Sequence, residues 1–514
     1  PRSTSSAASD VYKRQIDTLV LSRLFNPTRE GGHSLEKWGY KLGLSKIEFE
    51  DYLNYSSEML DYCVRDVQLN TLVYKELRNE SKGFSKQSIE LEQDVARVMK
   101  KQEENGFKFD MESALLLLAN LRETSQQIED EVHNTFKPKW VDDKLVTPYI
   151  KKDGDLSKRG LTDDEYDRCI TTQDMSPFMR KQLVDFNLGS RKQIGEYLMD
   201  FGWKPDRFTP TGQPIVDEKT LSEVTHIREA KLIADFLLLQ KRIAQVDSWV
   251  EAVQDDGRVH GFVIPNGAIT GRMTHRSPNM AQVPSVHSPY GSECRACWIV
   301  DDGNVLLGVD ASGLELRMLA HYMNDETYIK EILDGDIHTA NQRAAKLKSR
   351  NQAKTFIYAL MYGAGDEKLG KVVQGNTADG KRAREYFFDN NPAFKSLRDR
   401  VQRAASKKYL KGIDGRKLYI RNAHSALNTL LQGAGAIVMK KALSILDDVL
   451  RLNAVPYKFV ANIHDEWQIE VPKEQADFIG QFAVDSITKA GEHFNLRCPL
   501  DGEYKIGGNW SETH

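Results

Sequence analysis

The sequence predicts an α+β protein, because helical patterns fill most of the chain and short β-like runs lie in its second half. The helical stretches, with apolar residues three and four positions apart, are residues 88–136, 190–201, 229–253, 336–391 and 434–450. The β-like runs are residues 259–264, 305–309 and 457–471, the last of which has the pattern strand, turn, strand. Long helices between a few separated strands are typical of the α+β class.

Composition excludes several classes of protein. The 514 residues suffice for about three or four structural units, and 40% apolar with 28% charged residues is typical of folded chains. No window approaches eighteen consecutive apolar residues, which argues against a transmembrane span. The net charge of −3 means that any affinity for nucleic acid has to come from a local basic surface. Five cysteines are too few for a disulfide framework, and the lone pair Cys294 and Cys297 is predicted to be two ordinary thiols.

The first fifteen residues are predicted to be an adaptor-like scar and not native sequence. They are rich in Ser and Ala, show no periodicity, and lack the apolar core of a secretory signal. Residues 10–15 resemble an in-frame translation of adaptor DNA used in sequencing libraries. A natural flexible arm is the alternative. The scar interpretation implies that the chain is an N-terminally truncated piece of a longer protein.

Two segments differ from the rest of the chain in composition. Residues 137–182 are polar, rich in charges and punctuated by Pro and Gly, which predicts an inserted, loosely ordered module. Residues 391–421 carry ten Lys or Arg against Asp399 and Asp414, so that ten minus two gives a local charge of +8. Such an excess of one sign favours a phosphate-facing surface over an ordinary solvated helical face.

Two acidic residues far apart in sequence predict a metal site. Asp310 ends the apolar strand pattern 305–309, and a rigid strand holds a carboxylate in place. Asp465 lies between His464 and Glu466 in a tight turn between two β-like runs. One carboxylate from each element suits Mg²⁺, which prefers carboxylate, water and phosphate oxygen. Two such ions about 4 Å apart activate an attacking oxygen and stabilise a leaving one. Either acid alone would be interpreted as a solvated or capping residue.

A helical stripe predicts a nucleotide site. Arg350, Lys354, Tyr358 and Tyr362 recur every four residues, and each step of four drifts by only about 40° around a helix. Two cations followed by two aromatic rings suit a nucleoside triphosphate, with phosphates on Arg and Lys and with sugar and base against the rings. The alternative is an amphipathic helix whose tyrosines pack inward. The paired acids favour the triphosphate interpretation.

These three elements together resemble a known family. The segment Asp310-Ala311-Ser312-Gly313-Leu314-Glu315, the stripe ending in Tyr362-Gly363, and His464-Asp465-Glu466 resemble motifs A, B and C of family A DNA polymerases, the DNA polymerase I superfamily. Four further segments resemble the replicative branch found in short-tailed phages: residues 270–275, 335–339, 414–417 and 424–432. The similarity runs in order from about residue 16 to His514.

The resemblance implies a right-hand polymerase fold preceded by part of a ribonuclease-H-like 3′→5′ exonuclease domain. The implied divisions are an exonuclease remnant (16–85), a thumb (86–250) with the inserted segment 137–182, a palm (251–330 and 435–514) and fingers (331–434). Tyr62 and Asp66 match the last acidic motif of the exonuclease. The two earlier acidic motifs of that domain are not in this sequence, so exonuclease activity is not expected of this fragment.

The resemblance also implies a role for each matching residue. Asp310 and Asp465, with the backbone carbonyl of Ala311, would bind two Mg²⁺ ions, and Glu466 would support them. The nucleotide-binding residues would be Glu315, His338, Arg350, Lys354, Tyr358 and Tyr362. Lys354 would also protonate the leaving pyrophosphate, and a structural role near a helix end is the alternative for His338. Arg272, Asn428, Gln432 and His464 would lie along the minor groove of the primer-template.

Two of these implied roles concern the choice of substrate. Glu315 would close the space beside the sugar C2′, so that a ribonucleotide clashes or leaves polar groups unpaired. The Tyr358 hydroxyl would replace hydrogen bonding that is lost when a nucleotide lacks its 3′-hydroxyl. The enzyme is therefore expected to accept dideoxynucleotides readily. Tyr362 would stack at the template position.

The implied function is DNA-directed DNA synthesis by the replicative polymerase of a bacteriophage, in the cytoplasm of an infected bacterial cell. Primer-template DNA and deoxynucleoside triphosphates would be bound, with a phage helicase-primase and a single-strand-binding protein as partners, and no membrane. Residues 137–182 lie where an enzyme of the phage branch carries its loop for host thioredoxin, although an ordinary elaboration of the thumb is the alternative. The alternative functions are a bacterial repair-type DNA polymerase I, a single-subunit phage RNA polymerase and a catalytically dead nucleic-acid-binding module.

Overall fold

The computed structural model describes residues 15–514, so the predicted scar lies, apart from Gln15, outside the described residues. The α-helices are α1 (Thr18–Phe25), α2 (Leu35–Leu42), α3 (Ser57–Glu80), α4 (Lys86–Asn105), α5 (Met111–Thr135), α6 (Asp163–Thr172), α7 (Arg191–Asp200), α8 (Glu218–Ser222), α9 (Arg228–Ala252), α10 (Gly291–Ala296), α11 (Leu314–Met323), α12 (Glu326–Leu333), α13 (Ile337–Ala345), α14 (Arg350–Met361), α15 (Asp366–Val372), α16 (Thr377–Asn390), α17 (Pro392–Ala404), α18 (Ala426–Leu452) and α19 (Ala476–His493). The strands are β1 (Phe107–Phe109), β2 (Lys139–Val146), β3 (Phe178–Val184), β4 (Arg258–Val259), β5 (Phe262–Ile264), β6 (Thr274–Arg276), β7 (Trp298–Ile299), β8 (Asn304–Ala311), β9 (Tyr409–Lys411), β10 (Lys417–Tyr419), β11 (Lys458–Ile463), β12 (Glu466–Pro472) and β13 (Gly502–Gly507).

The chain divides into two compact units, which are described separately. The smaller unit is Ala114–Ser248, and the larger one joins the residues up to Ser113 with Trp249–His514. The predicted thumb began at residue 86. The compact unit starts later, because α4 packs against β11 and α18 of the larger unit.

A four-stranded antiparallel sheet forms the centre of the larger unit, in the order β11-β12-β8-β13. The apolar run of β8 is buried because α19 packs against β8 and β13 on this sheet. The register places Asp310 of β8 opposite Glu466 of β12 and opposite Glu503 of β13. The sheet therefore brings the end of the first predicted acidic element next to the turn that carries the second.

Helix α18 is the long core helix of this unit. Residues Ala423–Leu452 are apolar and long enough to cross a membrane, but 78% of the apolar window is buried inside the protein, as in a core helix. Periodicity predicted its start at residue 434, whereas the helix begins at Ala426. Polar Asn428 and Gln432 interrupt the apolar pattern there because they line a cavity. The predicted fingers-palm boundary at 434/435 consequently falls inside one continuous helix.

The smaller unit contains the segment that was predicted to be loosely ordered, and that prediction is wrong. Strands β2 and β3 pair antiparallel from Lys139 opposite Val184 to Val146 opposite Phe178. Between them α6 starts at a capping box made by Thr162 and Glu165. The strands were not recognised because their sequences do not alternate between apolar and polar residues, most of their side chains are exposed, and Pro and Gly dominate the turns.

Helices α1, α2 and α3 form a small packed body with its own core. Trp38 of α2 is buried against Leu24 and Phe25 of α1 and against Leu69 and Val73 of α3. The indole Nε1 of Trp38 donates to the Ser22 hydroxyl at 3.2 Å. These residues belong to the predicted exonuclease remnant, and they pack together within the larger unit.

The basic segment 391–421 does not present all of its charges to solvent. Arg416 and Asp414 are buried and pair with each other, and Arg416 also pairs with Glu92 of α4. The interpretation of all ten cations as one phosphate-facing surface is therefore wrong for Arg416. Lys395, Arg403, Lys407, Lys408, Lys411 and Arg421 are exposed, as is Arg400.

Candidate active site

Asp310 and Asp465 meet at one end of the central sheet. The Ala311 backbone N–H donates to the Asp465 carbonyl at 3.2 Å, which ties the end of β8 to the turn between β11 and β12. His464 has a φ of 59°, the left-handed conformation that lets the chain reverse within this two-residue turn. Within residues 15–514, no cluster of three or more His, Cys, Asp or Glu side chains is arranged to hold a metal ion. A cation at this pair would therefore need further oxygen ligands from substrate or water.

The electrostatics of the pair favour a cation. Burial, and then the charges of Asp465 and Glu466, raise the pKa of Asp310 to about 7. Burial also raises the pKa of Asp465. Two buried carboxylates of like charge disfavour their ionised forms unless a positive charge lies between them. Carboxylate oxygens are the ligands that Mg²⁺ prefers, so the residues present fit a divalent ion of this kind.

Glu466 faces the protein and not the open end of the pair. Its carboxylate accepts from the Trp510 indole at 2.6 Å and from the Gln468 amide at 2.7 Å. The His514 imidazole lies 3.3 Å away and Arg295 lies 3.6 Å away. Burial raises the pKa of Glu466, but the His514 hydrogen bond and the Arg295 charge outweigh it and lower the pKa below its ordinary value. This arrangement agrees with a supporting role.

Arg295 is a site residue that sequence reasoning missed. It lies on α10, between Cys294 and Cys297 in the sequence, and its guanidinium stacks over the Trp510 ring at 4.5 Å. Both thiols are buried, and burial raises the pKa of Cys297 to about 12. The Cys-x-x-Cys spacing indicated only the two cysteines, whereas the residue that contacts Glu466 is Arg295, which lies between them in the sequence.

Three residues of the predicted triphosphate stripe are exposed on α14, and the fourth, Tyr358, packs against the core. The helix starts at the N-cap Ser349, and its buried side is formed by Ala353, Phe356, Ile357, Ala359, Leu360 and Met361. Arg350, Lys354 and Tyr362 are exposed and Tyr358 is half-buried. The helix ends before Gly363, where a Cβ would clash with the His424 carbonyl oxygen. The alternative, an amphipathic helix whose tyrosines pack inward, agrees with Tyr358 and does not agree with Tyr362, which is exposed.

His338 lies beside the cations of the stripe. Its backbone N–H donates to the Asp336 carboxylate at 3.1 Å, so Asp336 caps α13 and the imidazole does not. The ring centroid is 6.5 Å from that of Tyr358. Burial, and then the charges of Arg350 and Lys354, lower the pKa of His338. Arg350 itself donates to Asp336 at 2.7 Å, which holds the pKa of that carboxyl well below its usual range.

Glu315 joins the stripe to the other candidate residues. It lies in the first turn of α11, where its carboxylate accepts from the Tyr362 hydroxyl at 2.7 Å and from Arg272 at 3.0 Å. Burial and Glu315 together raise the pKa of Tyr362. Tyr362, predicted to stack at the template position, and Glu315, predicted to lie beside the sugar, are thus in direct contact in this structure.

All four predicted primer-template residues line one cavity of about 460 Å³. Asn428 and Gln432 are one helical turn apart on α18, and Arg272 and His464 come from two separate turns. Arg421, which was predicted only as part of the basic segment 391–421, and Ser425, which was not predicted, line the same cavity. The spacing of Ser425, Asn428 and Gln432, which places them on one side of a helix, could have identified Ser425.

The exonuclease-motif residues lie apart from this site, in α3. Lys46 lies 3.5 Å from the Asp66 carboxylate, and its ammonium stands over the Tyr62 ring at 5.0 Å. The Asp66 carboxyl thus faces a lysine. The structure brings no other predicted site residue to it.

Comparison with known proteins decides the family. The model of DNA polymerase family A matches residues 167–512. The chain belongs to DNA polymerase family A. The DNA-directed DNA polymerases of Enterobacteria phage T3 and Escherichia phage T7 are each 34% identical over 616 aligned positions, which cover 97% of this chain and 88% of the relative. DNA polymerase I of Pseudomonas aeruginosa is 27% identical and covers 64% of this chain and 39% of that protein.

A solved structure supports the fold of this family A polymerase. The POL domain of Pol1 from M. smegmatis, in a complex with DNA primer-template and dNTP, superposes with a TM-score of 0.78 at 20% identity. The superposition covers 97% of this chain and 82% of that one. The predicted family, its phage branch and the α+β polymerase fold are confirmed. Family A polymerases use divalent metal ions. The bacterial repair-type DNA polymerase I is a more distant match and is therefore the less favoured alternative.

Proposed function

We propose that this chain is the replicative DNA-directed DNA polymerase of a bacteriophage and works in the cytoplasm of the infected bacterium. The observation that carries the proposal is the meeting of Asp310 and Asp465 at the end of one sheet. The cations of α14 and the primer-template cavity belong to the same compact unit. The phage polymerases named above cover nearly the whole chain, which supports a phage origin.

Asp310, Asp465 and the Ala311 carbonyl are the proposed ligands of two Mg²⁺ ions. The ions, when bound, would offset the charge of the carboxylates and polarise the attacking and leaving oxygens. The primer 3′-oxygen forms a bond to the α-phosphorus of the deoxynucleotide, and the bond from that phosphorus to pyrophosphate breaks. The chain's own contribution is to hold these groups in line, since catalysis of phosphoryl transfer depends mainly on position and charge.

The cationic half of the stripe has two proposed tasks. Arg350, Lys354 and His338 bind the triphosphate, and a phosphate oxygen replaces Asp336 as the partner of Arg350. The Lys354 Nζ gives a proton to the leaving pyrophosphate, while the 3′-hydroxyl proton passes to water. Lys354 is exposed in this structure, which leaves it free to turn toward the substrate.

Glu315 is the proposed barrier to ribonucleotides. Its carboxylate is held from two sides, by Tyr362 and Arg272, so it cannot move aside without breaking a hydrogen bond. We expect primer extension with deoxynucleotides and little with ribonucleotides. Glu315→Ala should raise the relative use of ribonucleotides by about tenfold or more.

Steady-state primer extension with each nucleotide class measures this preference, and Glu326→Ala, at the start of the neighbouring helix α12, is the matched control. A wild-type protein that uses ribonucleotides as well as deoxynucleotides would contradict the proposal and favour the single-subunit RNA polymerase. A protein that binds primer-template but extends it with neither nucleotide would favour the binding module.

The primer-template is proposed to lie along the cavity lined by Arg272, Asn428, Gln432 and His464. Hydrogen-bond acceptors in the minor groove are shared by all base pairs, so polar groups there recognise correct geometry without reading sequence. The exposed cations of α17 and of the chain up to Arg421 would contact backbone phosphates. A phage helicase-primase and a single-strand-binding protein are the partners that the phage relatives suggest. We propose no exonuclease activity for this chain.

An exposed apolar face in the smaller unit supports the proposal that the protein binds a processivity factor. Directly paired residues of antiparallel strands share a face, and the pairs Trp140–Leu183 and Leu145–Met179 are all exposed, with Trp140 at 67%. Exposed apolar patches of this kind mark protein interaction sites. We take host thioredoxin as the occupant. Trp140, Leu145 and Met179 belong to the segment 137–182, and Leu183 directly follows it.

Thioredoxin should lengthen the products made on a singly primed long template several-fold, because a bound clamp slows dissociation between additions. Trp140→Glu should abolish the increase without changing extension of a short primer. Phe208→Glu, a similarly exposed aromatic outside the segment, is the control. Product lengths that do not respond to thioredoxin would identify the segment as an ordinary elaboration of the thumb.

A further inference from the structure

Four charged side chains are buried together in the larger unit, at a place where the proposed chemistry does not need them. Glu92 comes from α4, Asp414 and Arg416 from the turn between β9 and β10, and Lys440 from α18. The exposed fraction of each side chain is at most 2%. Glu92 accepts from Arg416 at 2.5 Å and from Lys440 at 2.6 Å, while Arg416 also bonds Asp414 at 2.8 Å.

Stability is a weak reason for such a network. Taking an ion out of water costs several kcal/mol, and well-packed apolar side chains in the place of a buried ion pair are often as stable or more so. Two anions and two cations balance in charge, so the group is tolerated in the core. The balance does not explain why charges are there at all. Buried polar groups do, however, fix a single geometry for the backbone that they contact.

The backbone that this network contacts is the turn before Arg272. The Lys440 Nζ donates to the Gly271 carbonyl at 2.7 Å. Arg416 Nη1 lies 3.4 Å from the position that a Cβ on Gly271 would take. Gly271 has a φ of +78°, and its N–H closes the turn by donating to the Ala268 carbonyl at 2.8 Å. Two cations of the network thus lie against the residue that directly precedes Arg272.

The other side of that turn is the proposed primer-template site. Arg272 bonds Glu315 and lines the cavity that also contains Asn428 and Gln432. Those two residues lie on α18, the helix that carries Lys440 further along. Helix α18 therefore carries two residues of the cavity and also Lys440, which contacts the turn that precedes Arg272.

We propose that Lys440 is a positioning residue, which together with Glu92 and Arg416 holds the Gly271 turn so that Arg272 reaches the minor groove at the primer terminus. The inference rests on the proposed function, in which Arg272 contacts the primer-template. Lys440 does not touch DNA. It acts by fixing the carbonyl one residue before the arginine.

A minor-groove probe tests this proposal. The substrate is a primer whose terminal purine has carbon in place of the groove-facing N3 acceptor. The wild type should extend it about tenfold less efficiently than the normal primer, since one hydrogen bond is lost. Arg272→Ala and Lys440→Met should both extend the normal primer about tenfold less efficiently and be insensitive to the carbon substitution. The variant that combines Arg272→Ala with Lys440→Met should extend the normal primer no less efficiently than either single variant. The effects of residues that act through one contact are not additive.

Lys441→Met, a change at the neighbouring partly exposed lysine, is the matched control and should behave like the wild type. A Lys440→Met protein that unfolds at lower temperature yet keeps the wild-type sensitivity to the substituted primer would overturn the proposal. Wild-type behaviour of Arg272→Ala would remove the primer-template role of Arg272, and the inference with it.

If Lys440→Met alone does not fold, Glu92→Gln with Lys440→Met decides. That double change removes one charge of each sign and leaves Arg416 paired with Asp414. Loss of sensitivity to the substituted primer in this variant supports the proposal. Retained sensitivity overturns it.

Discussion

Asp310→Asn should reduce primer extension by at least about 10³-fold while primer-template binding is retained. The amide keeps the size of the side chain but removes the negative charge that, with Asp465, would hold the divalent ions. Burial and the neighbouring acids raise the pKa of Asp310 and so disfavour its ionised form. A bound metal ion would offset this cost, because its positive charge stabilises the carboxylate. Single-turnover extension and an equilibrium binding measurement on the same variant separate chemistry from binding.

Glu503→Gln is the matched control for Asp310→Asn. Glu503 lies on β13 directly opposite Asp310 in the register and is exposed. Its loss should change extension only a few-fold, since an exposed charge is screened by water. Equal losses of extension in the two variants would show that the general negative charge at this end of the sheet, and not a metal site at Asp310, supports the reaction. Near-normal extension by Asp310→Asn would exclude the aspartate as a metal ligand.

Tyr358→Phe should restore discrimination against dideoxynucleotides by on the order of 10²-fold. Tyr358 is half-buried, and burial and then the charges of Glu315 and Asp465 raise its pKa. The charges of Glu315 and Asp465 thus act on the Tyr358 hydroxyl, and we expect a nucleotide without its own 3′-hydroxyl to leave a polar gap beside it. The phenol can fill that gap with a hydrogen bond, and phenylalanine cannot.

Competition between a dideoxynucleotide and the matching deoxynucleotide measures the effect on Tyr358→Phe as a ratio of incorporation efficiencies. Deoxynucleotide incorporation should change little, because phenylalanine keeps the ring that is proposed to lie under the sugar. Tyr362→Phe is the control, since its hydroxyl bonds Glu315 and is not assigned to the missing 3′ position. Equal ratios for the parent and Tyr358→Phe would contradict this role for the hydroxyl.

The catalytic elements were predictable because each is marked by local spacing. An apolar run that stops on Asp310 predicts a strand that holds a carboxylate, and four residues at intervals of four, starting at Arg350, predict a stripe. The structure keeps both, and the sheet order brings Asp465 beside Asp310. No spacing in the sequence indicates that the two aspartates lie close together. The pairing was inferred because one carboxylate from each element suits Mg²⁺, and the resemblance to the family agreed with it.

Other features were not predictable because their partners are distant in sequence. Arg416 was counted in a basic surface, but it bonds Glu92 across 324 positions. Glu466 is held by Trp510 and Arg295, which no local pattern connects to it. The strands within 137–182 were missed for another reason. Exposed on most of their length, they lack the apolar alternation by which a half-buried strand is recognised.

Asp310 and Asp465, far apart in sequence, are proposed to share one set of divalent ions. Anomalous diffraction from crystals soaked in Mn²⁺, grown with primer-template and a nucleotide that cannot react, tests it directly. We predict two ions about 4 Å apart, with carboxylate oxygens of both Asp310 and Asp465 as ligands. Ions that contact only one of these residues, or that bind elsewhere in the chain, would contradict the assignment.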